Sequence, residues 1–269
     1  MKVLVILLVI LLLVYLFLIM PNNQKRDFSK LVTYYYAHRG LHNNKTDAPE
    51  NSMKAFKLAV DNNYGIELDV QLTKDDVPVV FHDATLKRVC GVEGKVIDYT
   101  YEELKQFRLC ESDEIIPLFA DVLKLVDGKT PLIVEYKSED FNMHLCEVIH
   151  PLLENYHGDY VIESFNPVVV SWYRKNHPEV IRGQLSMRFF KDNGDAFNWK
   201  YFAIEHLITN VIARPDFVAY DYRGRSSLGF RLNKLLGAMP VTWTIKSQDV
   251  LDEVRNDFKM YIFEQFNAK

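Results

Sequence analysis

Two carboxylates set two residues apart inside an apolar run constrain this chain more than any other feature. The run is Gly65-Ile66-Glu67-Leu68-Asp69-Val70. On a strand, alternate side chains share a face, so Glu67 and Asp69 point one way while Leu68 and Val70 point the other. Two neighbouring carboxylates are costly to bury unless a cation sits beside them. After a polar turn a second strand, 77–81, ends in His82 and Asp83. Titratable groups at the carboxyl ends of strands mark the sites of α/β folds.

The rest of the chain supplies the other strands. From residue 32 onward strand-like and helix-like segments alternate. The pattern predicts strands at 32–37, 65–70, 77–81, 131–137, 160–165, 181–185, 217–220 and 241–245. Helices are expected after Ser52, over 118–126, 141–155, 167–175, around 199–209 and 228–236, and over 248–256. Eight strands in roughly 240 residues favour an α/β fold closed as a TIM (β/α)8 barrel over an open sheet. Residues 84–116 break the rhythm. They are expected to be an insertion after the third strand, long enough for a lid or a side subdomain.

Residues 3–20 are an unbroken apolar run of 18. As a helix it reaches about 27 Å, close to the hydrocarbon thickness of a bilayer. It is longer than a signal-peptide core, and Met20-Pro21-Asn22-Asn23 lacks an Ala-x-Ala cleavage pattern. The expectation is one N-terminal transmembrane helix in an anchor and polar tether, 1–31, followed by a barrel domain, 32–269. Lys25, Arg26 and Lys30 outnumber Lys2 across the run, with Asp27 offsetting one charge. This leans toward a cytoplasmic barrel, as do three unpaired cysteines, but leaves the side of the membrane undecided. The net charge is −4, and no Lys/Arg run is interleaved with aromatics, so nucleic acid is not an expected partner. Cys90, Cys110 and Cys146 are too scattered for a disulfide framework or a zinc knuckle.

In such a barrel, polar groups from four strands meet over one mouth. The first strand brings His38 and Arg39, the second Glu67 and Asp69, the third His82, and the fourth Glu135 and Lys137. Glu67, Asp69 and Glu135 form an all-oxygen set suited to one divalent cation, Ca2+ or Mg2+. Arg39 and Lys137 supply fixed positive charge for an anionic phosphate. His38 and His82 can share proton transfer as base and acid. Phe165 and Trp243, at strand ends, can wall the pocket against a small alcohol. The competing reading is a structural charge network of Glu67 and Asp69 with Arg39 and Lys137. The other histidines, 42, 144, 150, 157, 177 and 206, read as solvated loop or helix residues.

Five linked motifs, His38-Arg39-Gly40, Pro49-Glu50-Asn51-Ser52, Glu67-Leu68-Asp69-Val70, Val79-Val80-Phe81-His82-Asp83 and Glu135-Tyr136-Lys137, resemble the glycerophosphodiester phosphodiesterase family. Beyond residue 137 the match thins to Ser164-Phe165 and Trp243-Thr244. The resemblance implies a TIM barrel with an insertion after its third strand, and metal-dependent hydrolysis of glycerophosphodiesters to glycerol phosphate and an alcohol. It implies a cyclic phosphate intermediate, catalytic histidines at His38 and His82, metal carboxylates at Glu67, Asp69 and Glu135, and phosphate contacts at Arg39 and Lys137. Two departures are Ser164-Phe165-Asn166, where Ser-Phe-Asp is usual, and Phe263-Glu264, where Thr-Asp is usual. The anchor keeps a lysophospholipase D-like headgroup hydrolase open as an alternative, with a lysophospholipid substrate. A silent membrane-anchored interaction module is the alternative of another class.

Overall fold

The computed structural model describes residues 1–138 and 141–269. Among these, nine strands form: β1 Tyr35–His38, β2 Gly65–Leu72, β3 Pro78–Val80, β4 Leu132–Tyr136, β5 Tyr160–Ser164, β6 Arg182–Ser186, β7 Phe217–Asp221, β8 Met239–Ile245 and β9 Met260–Phe263. The helices are α1 Lys2–Ile19, α2 Met53–Asp61, α3 Lys87–Cys90, α4 Tyr101–Leu104, α5 Phe119–Val126, α6 His144–Glu154, α7 Pro167–Asn176, α8 Trp199–Glu205, α9 Asn210–Ala213, α10 Leu228–Leu235 and α11 Gln248–Val254. Several begin where the sequence offers a cap. Ser52 Oγ accepts from the Ala55 amide, and Asn166 Oδ1 accepts from the Val168 amide, with Pro167 opening α7.

Eight strands run parallel in the order β1-β9-β8-β7-β6-β5-β4-β2, and β1 pairs with β2 to close the ring. This is the TIM barrel. The third strand in chain order is not one of its staves. β3 pairs antiparallel with the far end of β2, Val70 opposite Val80, and the insertion 84–116 follows it. The eighth stave is instead β9, a segment not counted among the expected strands. The first strand also starts later than expected, because Leu31–Thr33 forms a 3-10 turn.

Inside the ring, Tyr36, Ile133, Val161, Phe217 and Met260 fill the lower layer, with Phe28 and Leu31 closing the floor. Outward-facing Leu68, Val70, Val134, Ile162 and Val218 pack under the surrounding helices. Two inward positions are glycine because large rings occupy their space. A Cβ on Gly65 would lie 2.6 Å from the Tyr36 ring, and one on Gly183 only 2.1 Å from the Phe217 ring. The insertion carries its own core, in which Leu86, Val89, Val96, Leu104, Leu109 and Ile116 pack with Val79 and Phe81. It is a side lobe with a hydrophobic centre, not a bare flap.

The polar segment after α1 is no loose tether. The Asn22 amide donates to the Pro215 carbonyl at 2.9 Å, and Arg26 Nε lies 3.0 Å from Asp216 Oδ1. The segment crosses under the barrel because its polar groups find partners at the starts of β6 and β7. Adding a methyl at Gly183 should overpack this floor. Gly183→Ala is expected to lose about 1–3 kcal/mol of stability, read as a lowered unfolding midpoint in detergent. An unchanged midpoint would mean that the Phe217 ring can move aside.

Candidate active site

The mouth of the barrel holds a cavity of about 430 Å³. The register of the parallel strands fills it row by row. His38 lies opposite Glu67, and Asp69 opposite Glu135, which lies opposite Glu163. Oxygens of Glu67, Asp69 and Glu135 lie within 4.8 Å of one another, and all three residues are buried. Burial pushes the Glu67 carboxyl well above its ordinary range, and Asp69, Glu135 and Glu163 push it further. Burial likewise raises Glu135 and Glu163. Asp69 moves the other way. Its burial is outweighed by Lys137, His82 and Arg39, which hold it well below the usual carboxylate range.

Lys137 Nζ stands 3.0 Å from Asp69 Oδ1 and donates to Glu135 Oε1 at 2.7 Å. An ammonium thus lies where close carboxylates need positive charge, and its pKa is raised by Asp69 and Glu135 against its burial. Arg39 adopts a left-handed backbone, φ +56°, which turns its amide onto Glu67 Oε2 at 3.0 Å. Its Nη1 donates to Glu50 Oε1 at 2.6 Å, and its Nε lies 3.6 Å from Asp69 Oδ2. Asn51 Nδ2 also donates to Asp69 Oδ2, at 2.8 Å. A buried three-carboxylate set of hard oxygens fits a divalent cation.

Both imidazoles are oriented by carboxylates. His38 Nδ1 is 2.6 Å from Glu264 Oε2, while its Nε2 lies 3.9 Å from Glu67 Oε2. Burial pushes His38 down to about 4 despite Glu264, so the ring is neutral and Nδ1–H donates to the carboxylate. Glu264 also pairs with Lys246 Nζ at 2.8 Å. His82 Nδ1 is 2.6 Å from Asp83 Oδ1, and Gln71 Nε2 binds the carbonyls of Phe81, His82 and Asp83 beneath it. Phe165 and Trp243 meet edge to face at 5.7 Å on the apolar side of the cavity.

The structure thus gathers His38, Arg39, Glu67, Asp69, His82, Glu135, Lys137, Phe165 and Trp243 around one opening. Sequence reasoning missed Glu163, although it continues the two-residue alternation of β5. It also missed Glu264, and Arg88 of α3. The Arg88 guanidinium binds Glu50 through Nη1 and Nη2 at 2.7 Å and Asp83 through Nε at 2.6 Å. It links the partner of Arg39 to the partner of His82. Two histidines expected in solvent are not there. The His42 side chain is only 7% exposed, turned toward Glu264 by the loop after β1. His150 is buried because it lies on the face of α6 that meets α7, its ring 3.4 Å from that of His177.

The pattern of the glycerophosphoryl diester phosphodiesterase family matches residues 38–189, more than half of the chain. The chain belongs to that family. A glycerophosphodiester phosphodiesterase of Bacillus altitudinis is 34% identical over 168 residues, 58% of this chain and 67% of that protein. One from Caldanaerobacter subterraneus is 36% identical over 173 residues, again 58% and 67%. Among solved structures, an Oleispira antarctica phosphodiesterase in complex with the product sn-glycerol-3-phosphate has the same fold. Its TM-score is 0.70 at 21% identity, over 86% of this chain and 92% of that one. As a glycerophosphoryl diester phosphodiesterase, the chain is a phosphoric diester hydrolase acting on glycerophosphodiesters.

In this phosphodiesterase the Arg39–Glu50–Arg88 chain gives a pH signature. Hydrogen bonds from Arg88 and the charge of Arg39 outweigh burial and hold Glu50 at about 2, against an ordinary 4.5. A depressed carboxyl contributes stability above its unfolded value, and the contribution is lost as pH falls toward its folded value. Glu50→Gln should therefore cost roughly 1–3 kcal/mol at pH 7, and progressively less between pH 4.5 and 2. Unfolding midpoints across that range test this; a penalty independent of pH would contradict it.

Proposed function

We propose that the chain is a membrane-anchored, metal-dependent diesterase in which His38 and His82 carry the protons. The observation behind this is the pairing of two carboxylate-oriented imidazoles with a buried carboxylate triad around one cavity. Glu67, Asp69 and Glu135 would hold the cation, Ca2+ or Mg2+. When bound, it offsets negative charge on the phosphate oxygens as the transition state forms. Arg39 and Lys137 bind the same phosphate from the side, and Phe165 and Trp243 exclude water around the alcohol. A glycerol hydroxyl or water attacks phosphorus, and one imidazole takes its proton through Nε2. The other imidazole, entering the step as an imidazolium, protonates the departing alcohol oxygen from Nε2 as the P–O bond breaks. Where the glycerol hydroxyl was the nucleophile, water then opens the cyclic phosphate with the two imidazoles in exchanged roles. Glu264 and Asp83 keep both Nδ1 atoms occupied, which leaves each Nε2 for the substrate.

The anchor reading takes residues 1–31 as the membrane segment and 32–269 as the catalytic domain, with 84–116 as its side lobe. It is supported by the length of α1, its mean hydropathy of 3.2 and its 6% burial. A lysophospholipid is the second reading of the substrate, favoured because the anchor holds the barrel at a lipid surface. Rates on glycerophosphocholine and on a lysophospholipid in vesicles, compared for the same protein, separate the two.

His38→Ala and His82→Ala should each lower turnover of glycerophosphocholine by about 10²–10⁴-fold while the fold is kept. Near-full activity in both variants would remove the acid–base assignment. Exhaustive chelation should abolish turnover, with Ca2+ or Mg2+ restoring it. Calorimetry should show that Glu135→Gln binds the ion more weakly. Unimpaired hydrolysis after chelation, or unchanged ion affinity in the variant, would exclude the triad as a metal site.

A further inference from the structure

The apolar helix does not hang from the barrel by a flexible link. The last carbonyls of an α-helix lack internal partners, and here the barrel supplies them. Asn210 Nδ2 and Asn233 Nδ2 donate to the Ile19 carbonyl at 3.1 and 2.6 Å. Arg214 Nη1 donates to the carbonyls of Phe17 and Met20 at 2.8 and 2.9 Å. One turn earlier, Tyr15 Oη donates to the His206 carbonyl at 3.2 Å. Ile19 itself is buried.

These contacts also give the helix a direction. Tyr15 lies against Gly229, at the start of α10, where a Cβ would come within 2.8 Å of its hydroxyl. Ile19 meets Asn233 one turn lower, and Asn22 meets Pro215 just before β7. α10 follows β7 and so descends from the mouth to the floor. α1 descends beside it, and its N-terminal end projects past the mouth. Residues 2–14 make about 20 Å of helix beyond that level, short of the roughly 30 Å hydrocarbon core. For the helix to cross, the neighbouring rim must itself sit in the membrane interface.

That rim is built for it. The segment after β6 exposes Phe197 by 62% and Trp199 by 73%, and Leu228 beside it is 66% exposed. Phe197 and Trp199 meet at 5.0 Å, Trp199 packs on Phe202 at 5.7 Å, and Phe202 on His206 at 4.3 Å. The aromatic cluster is thereby continuous with the residue that receives Tyr15. On the inner side of the same segment Phe189 stacks on Tyr201 at 4.7 Å and lies 6.0 Å from Phe165 in the site wall, while its neighbour Phe190 stacks on Phe197 at 5.6 Å. Exposed aromatics beside a spanning helix are interfacial residues.

We infer that the barrel docks mouth-first on the bilayer, with Phe197, Trp199 and Leu228 entering the lipid interface beside the catalytic opening. This rests on the anchor reading above. The diester then reaches the site from the lipid surface rather than from the side facing away from it.

Full-length protein reconstituted into phosphatidylcholine vesicles with brominated acyl chains tests the inference. Tryptophan emission should be quenched most by bromines near the headgroups, and Trp199→Phe should lose most of the quenchable emission while hydrolysing glycerophosphocholine at the parent rate. Protein that floats with vesicles and hydrolyses the soluble diester, yet shows equal quenching with and without Trp199, overturns the orientation alone. The orientation also falls if Trp199 is buried instead in a self-associated dimer. Failure to float removes the anchor and this inference with it, whereas loss of soluble-diester hydrolysis in the parent protein bears only on the catalytic assignment.

Discussion

Glu67, Asp69, Glu135 and Glu163 are buried together inside the barrel, with the Lys137 ammonium against Asp69 and Glu135, and the site depends on how their repulsion is relieved. Asp69 is reached by both Lys137 and Arg39, and these with His82 hold it low, while burial pushes Glu67, Glu135 and Glu163 toward the neutral form. The cluster is therefore unevenly charged and short of positive charge. A divalent cation is one charge that could relieve that repulsion through the carboxylate oxygens. The staves supply the rigidity this requires, because each carboxylate sits on a strand hydrogen-bonded on both sides.

Proton transfer needs orientation as well as charge. His38 and His82 both line the cavity that holds the carboxylates, and each is held through Nδ1 by a carboxylate that belongs to the frame. Glu264 is itself tied to Lys246, and Asp83 to Arg88. Arg88 gives the insertion a catalytic relevance that its length alone does not reveal. The side lobe delivers one guanidinium that steadies both Arg39, through Glu50, and the His82 loop, through Asp83. Gln71 adds a third support, donating to three consecutive carbonyls on the strand-to-lobe turn.

The same logic of satisfied polar groups joins the apolar helix to the enzyme. Asn210 and Asn233 are buried residues whose amides would be costly if left unpaired, and the end of α1 offers carbonyls equally in need of donors. Each solves the other's deficit. The result couples the apolar helix to the barrel, with floor contacts at Asp216 continuing the seam.

Much of the fold and of the site could be read from the chain because both are written in short-range periodicity. Glu67 with Asp69, and Glu135 with Lys137, reveal a shared face by two-residue spacing alone, and the alternation of apolar runs reveals a β/α barrel. Periodicity carries neither direction nor partner. Hence the strand before His82 was counted as a stave although it pairs antiparallel, and Met260–Phe263, which closes the ring, was passed over. Glu264 stands 226 positions from His38, Arg88 stands 38 from Glu50, and Asn233 stands 214 from Ile19. Such contacts exist only once the ring closes, the lobe folds back and the N-terminal helix lies down against it. Local alternation makes the barrel and the shared face of Glu67 and Asp69 legible in the chain, and the strand ends point to His38 and His82 as neighbours of that face. What holds those imidazoles, what clamps Arg39 and which way the apolar helix points only tertiary structure decides, because each depends on contacts between residues far apart in the chain.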